Sequence, residues 1–190
     1  MYDWTNDINE SINVLELGGV IIFPTDTIWG LGCDATNAMA VNKILQIKRR
    51  SSSQGLIVLL DEEKEISKYV DQPDHRIFEY LQTTTKPTTV IYEGGKNVAE
   101  NILPDNGSLA IRLVKDAFCK ELITRFGKPI VSTSANLHGA PSPRIFNEID
   151  TVVKAAVDYI VAYARDVETI KEASAVVKWL PAGRVEVIRK

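Results

Sequence analysis

Two short polar segments hold most of the residues that could do chemistry in this sequence. Pro24-Thr25-Asp26-Thr27 interrupts an apolar run, and Ser132-Thr133-Ser134-Ala135-Asn136 follows another. Hydroxyl and amide groups hydrogen-bond ligands well, but a hydroxyl is a weak nucleophile without an adjacent base. Both segments also suit plain turns, because threonine, serine and asparagine side chains stabilise turns. The residues alone therefore indicate either two turns or two sides of one binding pocket.

Cations occur at two places that bear on the same question. Lys48-Arg49-Arg50 follows a helical pattern and precedes three serines, so Lys48 and Arg50 either relieve a helix dipole or clamp a triphosphate. Arg112 has apolar neighbours on both sides, which indicates an interior position. A buried guanidinium needs an anionic partner, either Asp26 or a ligand carboxylate. A solvated arginine on an edge strand is the alternative.

Several kinds of function are disfavoured by the sequence. It has no GxxxxGK[ST] motif and no GxSxG motif, and "GLGCDA" lacks the third glycine of a dinucleotide-binding loop. Two cysteines and two histidines, without metal-ligand spacing, predict no metal site in the protein. The net charge of −3 argues against a general nucleic-acid binder. A polar N-terminus and the lack of a long apolar run predict a cytoplasmic protein without a membrane span.

Strand and helix patterns alternate along the 190 residues, which predicts a single α/β domain over residues 1–190 with a parallel or mixed sheet. In such sheets ligands bind beyond the carboxyl ends of strands, where both polar segments are expected to lie. The apolar patterns predict helices near residues 3–17, 37–50, 62–70, 74–82, 116–127 and 143–157. They predict strands near residues 20–23, 55–60, 88–93, 108–114, 128–134, 159–164, 173–179 and 184–189.

Five segments follow one another along the chain: "FPTDTIWGLGCDA", "IKRRSSSQGLIVL", "GSLAIRLV", "KPIVSTSANLHGAPSP" and "ASAVVK…VEVIRK". In sequence, order and approximate spacing they resemble the YrdC-like family of threonylcarbamoyl-AMP synthases. The resemblance implies a twisted mixed or parallel sheet flanked by helices, with a concave basic cleft for ligands. It implies that L-threonine, bicarbonate and ATP give L-threonylcarbamoyl-AMP, pyrophosphate and water, the first step of a tRNA modification. Such chemistry requires positioning and charge stabilisation more than a nucleophile.

The resemblance also implies roles for individual residues. Thr27, Arg112, Ser132 and Ser174 are expected to bind threonine, with Arg112 on its carboxylate. Lys48 and Arg50 are expected to be catalytic and to contact ATP. The further residues expected at the nucleotide are Gln54, Ser108, Ser134, Asn136, Ser142 and Arg189. Mg²⁺ is expected to accompany the triphosphate without a dedicated protein site. A separate transferase is expected to pass the product to tRNA, and weak RNA binding is a further expectation.

Some positions depart from the family pattern. Trp29 stands where a tyrosine is usual, Ser51 replaces a proline, Leu59 takes the place of a histidine found in some members, and Ala175 replaces a hydroxyl residue. These departures leave the predicted cations in place but concern the threonine pocket. The alternative function is a YrdC-like RNA-binding module that makes no adenylate. Few predicted cations and a negative net charge favour the enzyme.

Overall fold

The computed structural model describes residues 3–50, 56–180 and 183–190. Its α-helices are α1 (Thr5–Glu16), α2 (Ala38–Ile47), α3 (Ile66–Tyr69), α4 (Arg76–Thr83), α5 (Ala117–Phe126) and α6 (Thr151–Ala155). Its strands are β1 (Ile21–Phe23), β2 (Gly30–Asp34), β3 (Ile57–Leu60), β4 (Thr88–Tyr92), β5 (Leu109–Leu113), β6 (Ile130–Ser134), β7 (Tyr159–Ile160), β8 (Ala175–Leu180) and β9 (Arg184–Arg189). Short 3-10 turns lie at Glu63–Glu65, Glu100–Ile102 and Phe146–Glu148.

The described strands form one mixed sheet in the order β7-β1-β2-β6-β3-β5-β4-β8-β9. Strand β2 pairs antiparallel with both β1 and β6, so β1 and β6 run in the same direction. The polar segments that follow β1 and β6 therefore leave the sheet at the same edge. The mixed α/β fold expected from the sequence is confirmed, whereas the single-domain organisation and the basic cleft stay predictions.

Local sequence explains where the longer helices begin and end. Asn37 precedes α2, and its side chain accepts hydrogen bonds from the backbone N–H groups of Met39 and Ala40. Asp116 caps α5 in the same way through the N–H of Cys119. Gly127 ends α5 in the left-handed conformation with φ of 70°, which glycine adopts without steric cost. These caps place the apolar stripe of each helix against the sheet.

The two faces of the sheet carry separate cores. Helix α2 covers one face, where Val41 and Ile44 pack with Leu31, Val58 and Val131. Helices α1 and α5 cover part of the other face through a second cluster. That cluster includes Ile8, Leu15, Phe23, Leu59, Phe118, Leu122 and Ile130. Each such fully buried side chain contributes about 1.5–3 kcal/mol of transfer free energy.

Strand register decides which side chains share the face that α1 and α5 only partly cover. Ile57 pairs with Ser132, and Leu59 pairs with both Ile130 and Arg112. Arg112 in turn pairs with Thr89, and these pairs lie on one face because directly opposed residues point the same way. The polar residues of this face, Thr89, Arg112 and Ser132, lie outside the second apolar cluster. They form the floor of the candidate site.

Three features differ from the sequence-based expectation. Strand β2 was not predicted, because Gly30 and Gly32 weaken a strand pattern that only tertiary pairing restores. The predicted helix over residues 143–157 is wrong in extent: only a 3-10 turn at Phe146–Glu148 and α6 form within it. The strand predicted at 159–164 is limited to Tyr159–Ile160. None of the helices among the described residues is long and apolar enough to cross a membrane.

Candidate active site

A cavity of about 80 Å³, the central cavity, opens on the partly covered face of the sheet. A cavity needs roughly 10–15 Å³ to hold a single water molecule, so this one admits a small ligand. The lining residues come from the turn before β2, from β2, β3, β5, β6 and β9, and from the loops before α6 and β8. They are Thr27, Ile28, Trp29, Gly30, Ile57, Arg112, Ser132, Thr133, Ser134, Ser142, Ala173, Ser174 and Arg189.

The turn between β1 and β2 is held by its own hydroxyl groups. The Thr25 Oγ1 atom accepts from the backbone N–H of Thr27 at 3.0 Å and donates to the Ile28 carbonyl at 2.8 Å. The Thr25 and Thr27 hydroxyl oxygens lie 2.9 Å apart. From outside the turn, the Lys171 Nζ atom donates to the Thr25 carbonyl at 2.8 Å. Thr27 is thus presented to the cavity by a rigid turn.

Arg112 lies on an interior strand and is 3% exposed, so the solvated edge-strand alternative is wrong. Its Nη2 atom lies 3.1 Å from Asp26 Oδ1, which makes Asp26 the anionic partner within the protein. The contact is an ion pair without hydrogen-bond alignment, and Arg112 Nε and Nη2 have no hydrogen-bond acceptor among the described residues. Buried donors are normally paired. Because Arg112 lines the cavity, its guanidinium suits a ligand carboxylate.

A second guanidinium reaches the cavity from the last strand. Arg189 donates through Nε to the Ser174 carbonyl at 3.0 Å, and its Nη2 lies 3.4 Å from the Ser174 hydroxyl. That hydroxyl also lies 2.8 Å from the Thr89 hydroxyl. Burial and then the charge of Arg112 lower the pKa of Arg189, although it remains a cation at neutral pH. Two cations therefore face one cavity.

The segment after β6 is held by Lys48. The Lys48 Nζ atom donates to the Ser134 carbonyl at 2.6 Å, to the Asn136 carbonyl at 2.9 Å and to Asn136 Oδ1 at 3.1 Å. Ser134 Oγ donates to the same Asn136 oxygen at 2.5 Å. Burial and, second, the Arg50 charge lower the pKa of Lys48 to about 8. All three ammonium protons thus have acceptors in the protein, and Lys48 shapes the segment that follows β6.

A second cavity of about 450 Å³ adjoins the central one at Ser142. Asn136 and Ser142 line it together with Leu137, Pro141 and Arg144. Its size exceeds that of the central cavity several-fold. The two cavities, which share Ser142, suit a small polar ligand next to a larger one.

The structure brings most of the predicted site residues together. Those that line the central cavity are Thr27, Arg112, Ser132, Ser134, Ser142, Ser174 and Arg189. Asn136 lines the second cavity, and Lys48 contacts Ser134 and Asn136 from outside both. Arg50, which is partly exposed, and Ser108, which immediately precedes β5, line neither cavity. Gln54 and Ser51 lie outside the described residues.

Some contributors were missed by sequence reasoning. Ile57 and Thr89 are ordinary strand residues whose place beside the site follows only from register. Lys171 lies in a loop without any pattern that predicts its contact with the 24–29 turn. Of the departures from the family pattern, Trp29 lines the cavity and packs against Phe146 with ring centroids 5.0 Å apart. Leu59 is fully buried in the second cluster.

The arrangement of the described side chains can position and neutralise anions, but it offers no evident nucleophile. Both thiols, Cys33 and Cys119, are buried, and burial raises their pKa values, which disfavours the reactive thiolate. No group of three or more His, Cys, Asp or Glu side chains that could hold a metal ion occurs among residues 3–50, 56–180 and 183–190.

Comparison with known proteins identifies the family of this chain. The model of a family described as "Telomere recombination", which comprises Sua5, YciO and YrdC, matches residues 13–190. The chain belongs to the Sua5/YciO/YrdC family. The resemblance inferred from the five sequence segments is therefore confirmed.

Two similar curated proteins are threonylcarbamoyl-AMP synthases. A threonylcarbamoyl-AMP synthase of Coxiella burnetii is 34% identical over 145 residues, which cover 76% of this chain and 78% of the relative. One of Hahella chejuensis is 35% identical over 153 residues, which cover 80% of this chain and 83% of the relative. This chain is thus similar to these synthases over most of their length.

Solved structures share the fold. Sua5 of P. abyssi, complexed with L-threonine, superposes with a TM-score of 0.81 at 21% identity over 96% of this chain. That match covers 53% of the Sua5 chain, so this chain spans about half the length of that relative. E. coli YciO superposes with a TM-score of 0.79 at 24% identity, covering 97% of this chain and 89% of YciO. At such identities the structures establish the fold of the family.

Proposed function

We propose that this protein is a threonylcarbamoyl-AMP synthase that converts L-threonine, bicarbonate and ATP into L-threonylcarbamoyl-AMP, pyrophosphate and water. The observation that carries the proposal is Arg112: a buried guanidinium, ion-paired with Asp26, lines a small cavity together with the hydroxyl groups of Thr27, Ser132 and Ser174. Similarity to synthases at 34% and 35% identity supports the same activity. The complex of P. abyssi Sua5 with L-threonine supports the same substrate.

The amino acid would occupy the central cavity. Its carboxylate would accept hydrogen bonds from Arg112, whose charge is nearly excluded from water. The hydroxyls of Thr27, Ser132 and Ser174 surround the same space and would bind the polar groups of threonine. Ile57 and Trp29 add apolar surface against which a methyl group can pack.

The nucleotide would extend from the central cavity into the second one. Ser134 and Arg189 line the central cavity, Ser142 lines both cavities, and Asn136 lines the larger one. Arg50, at the end of the Lys48-Arg49-Arg50 segment, would neutralise phosphate from outside the two cavities, and Gln54 and Ser108 stay predicted contacts. Mg²⁺ would arrive with the triphosphate, held by phosphate oxygens and water, because it binds few protein ligands in such sites.

The reaction requires little covalent work from the protein. The threonine amine adds to carbon dioxide derived from bicarbonate, and an oxygen of the resulting carbamate attacks the α-phosphorus of ATP as pyrophosphate leaves. Holding the carbamate in line with the phosphorus supplies the rate enhancement. Arg189, next to Arg112, would stabilise the charge that develops on phosphate oxygens.

Pyrophosphate release tests the activity. The protein is incubated with ATP, bicarbonate and each amino acid in turn, and we expect release only when threonine and bicarbonate are both present. Release without threonine dependence would refute the proposal. Salt-sensitive RNA binding without any pyrophosphate release would support the RNA-binding alternative instead.

Two variants test the division of the site into an amino-acid part and a nucleotide part. Arg112→Lys keeps the charge next to Asp26 but loses the forked donors, so we expect a KM for threonine raised about tenfold or more and little change for ATP. Arg50→Gln removes a partly exposed cation, so we expect the KM for ATP to rise and that for threonine to stay the same. Equal effects of both variants on both substrates would contradict this division.

The product is a labile mixed anhydride, so we propose that a separate transferase in the cytoplasm delivers the threonylcarbamoyl group to tRNA. Weak RNA binding by this protein stays an expectation, which the salt dependence of tRNA binding would measure.

A further inference from the structure

The hydrogen bonds of the 24–29 turn determine which way the Thr27 hydroxyl points. Thr25 Oγ1 has three neighbours within hydrogen-bond distance: the Thr27 backbone N–H, the Ile28 carbonyl and the Thr27 hydroxyl. A hydroxyl has one proton to donate and two lone pairs. The Ile28 carbonyl can only accept, so the Thr25 proton goes to it.

The remaining contact then has only one possible direction. Since the Thr25 proton is engaged at Ile28, the 2.9 Å contact between the two hydroxyls requires Thr27 to donate and Thr25 to accept. The Thr27 proton therefore points back into the turn. Thr27, which is 4% exposed, turns only oxygen lone pairs toward the cavity that it lines.

With the Thr27 proton directed into the turn, different residues contribute the hydrogen-bond acceptors and the donors of the central cavity. Thr27 presents a hydrogen-bond acceptor to this cavity, whereas Arg112 and Arg189, which also line it, can only donate. An α-amino acid has the matching arrangement, with N–H donors on the amine and acceptors on the carboxylate. A threonine hydroxyl that is free to rotate would bind donors and acceptors alike, so it would not select one orientation of the amino acid.

We propose that Thr25 is a positioning residue that fixes Thr27 as a hydrogen-bond acceptor for the amine nitrogen of the substrate. The inference rests on the proposed function, because it assigns one end of the threonine molecule to one residue. When the ammonium group of threonine becomes the carbamate it loses two protons and keeps one N–H; one proton is consumed as bicarbonate gives carbon dioxide and water, and the other is released to solvent. Thr27 can accept from that N–H before and after the carbamate forms, which holds the nitrogen still while the carbamate oxygen reacts.

The test compares L-threonine with (R)-3-hydroxybutyrate, the same molecule without the amine, by titration calorimetry. Thr25→Val keeps the side-chain shape but removes the acceptor for the Thr27 proton, so Thr27 becomes free to present a proton to the amine. We expect threonine to bind about tenfold more weakly, as for one lost hydrogen bond, and the hydroxybutyrate affinity to stay unchanged. Thr25→Ser retains the hydroxyl and is expected to restore the wild-type ratio of the two affinities.

A double-variant cycle adds a readout that a merely structural role would not move. Because Thr25 acts through Thr27, Thr25→Val/Thr27→Val should bind threonine no more weakly than Thr27→Val alone. Additive losses would overturn the proposal, as would a Thr25→Val variant that loses threonine and hydroxybutyrate affinity equally, since that result indicates a distorted pocket. An unchanged affinity ratio in Thr25→Val would overturn it as well.

These outcomes are distinct from a failure of the proposed function. If the wild-type protein releases pyrophosphate without needing threonine, or binds no threonine, the proposed function fails and the role of Thr25 fails with it. If the wild type requires threonine but Thr25→Val keeps the wild-type affinity ratio, only the role of Thr25 is refuted.

Discussion

Replacing Arg112 by methionine separates the use of this guanidinium in folding from its use in binding. Arg112 Nη2 lies 3.1 Å from Asp26 Oδ1, and the two side chains are 4% and 8% exposed. At an effective dielectric constant of about 20, two unit charges at this distance attract by about 5 kcal/mol. Removing two ions from water costs several kcal/mol each, so the intact pair contributes little net stability. Breaking it leaves the Asp26 charge buried without compensation.

We therefore expect Arg112→Met to lower the free energy of unfolding by about 3–5 kcal/mol. Asp26→Asn/Arg112→Met removes both charges, so we expect it to recover most of that loss. Threonine-dependent pyrophosphate release should be lost in both variants, because neither has donors for the substrate carboxylate. Urea unfolding followed by tryptophan fluorescence measures the first effect, with the dependence on urea concentration checked for a constant slope.

Three results would refute this reasoning. A loss below about 1 kcal/mol in Arg112→Met would mean that the buried pair does not control stability. A double variant no more stable than the single one would mean that the Asp26 charge is not the source of the loss. A double variant that still requires threonine would remove Arg112 from the binding site.

Two further predictions concern the sheet and the cation beside it. Gly32→Ala would place a Cβ atom 2.6 Å from Phe23 Cε1, so the free energy of unfolding should fall by about 1–3 kcal/mol. The double variant Gly32→Ala/Phe23→Leu should recover part of that loss. If the single variant unfolds at the same urea concentration as the wild type, the close packing is contradicted. Burial, and second the Arg50 charge, lower the pKa of Lys48 from 10.5 to about 8, so between these pH values the unfolded chain binds more protons than the folded one. The difference in free energy of unfolding between the wild type and Lys48→Met should therefore rise by up to about 3 kcal/mol from pH 8 to 10.5 and should not change below pH 8. A difference that is independent of pH over the whole range would contradict the burial of a charged Lys48.

Local patterns in the sequence were sufficient for the fold class and for the contents of the site. Apolar periodicity marks most strands and helices, because backbone geometry places side chains at fixed intervals. The polar segments that begin at Pro24 and Ser132 are visible because each follows an apolar run. Five ordered segments identified the family, which the family model over residues 13–190 confirms.

Only the tertiary structure decided how these parts meet. Strand β2 is not recognisable in the sequence because it contains two glycines. In the sheet it lies between β1 and β6 and brings the polar segments that follow them to one edge. Register placed Arg112 beside Thr89, and the chain path placed Asp26 against Arg112. Likewise, Lys48 was expected to face a triphosphate, but its ammonium donates to carbonyls after β6.

The physical reason is the range of the interactions. Burial and periodicity are properties of neighbouring residues, so a linear sequence displays them. Pair contacts across the sheet depend on which strands become neighbours, and the direction of a hydroxyl proton depends on every acceptor around it. The sequence thus indicated several of the residues that line the central cavity, and the folded chain determined their contacts, such as the ion pair between Arg112 and Asp26.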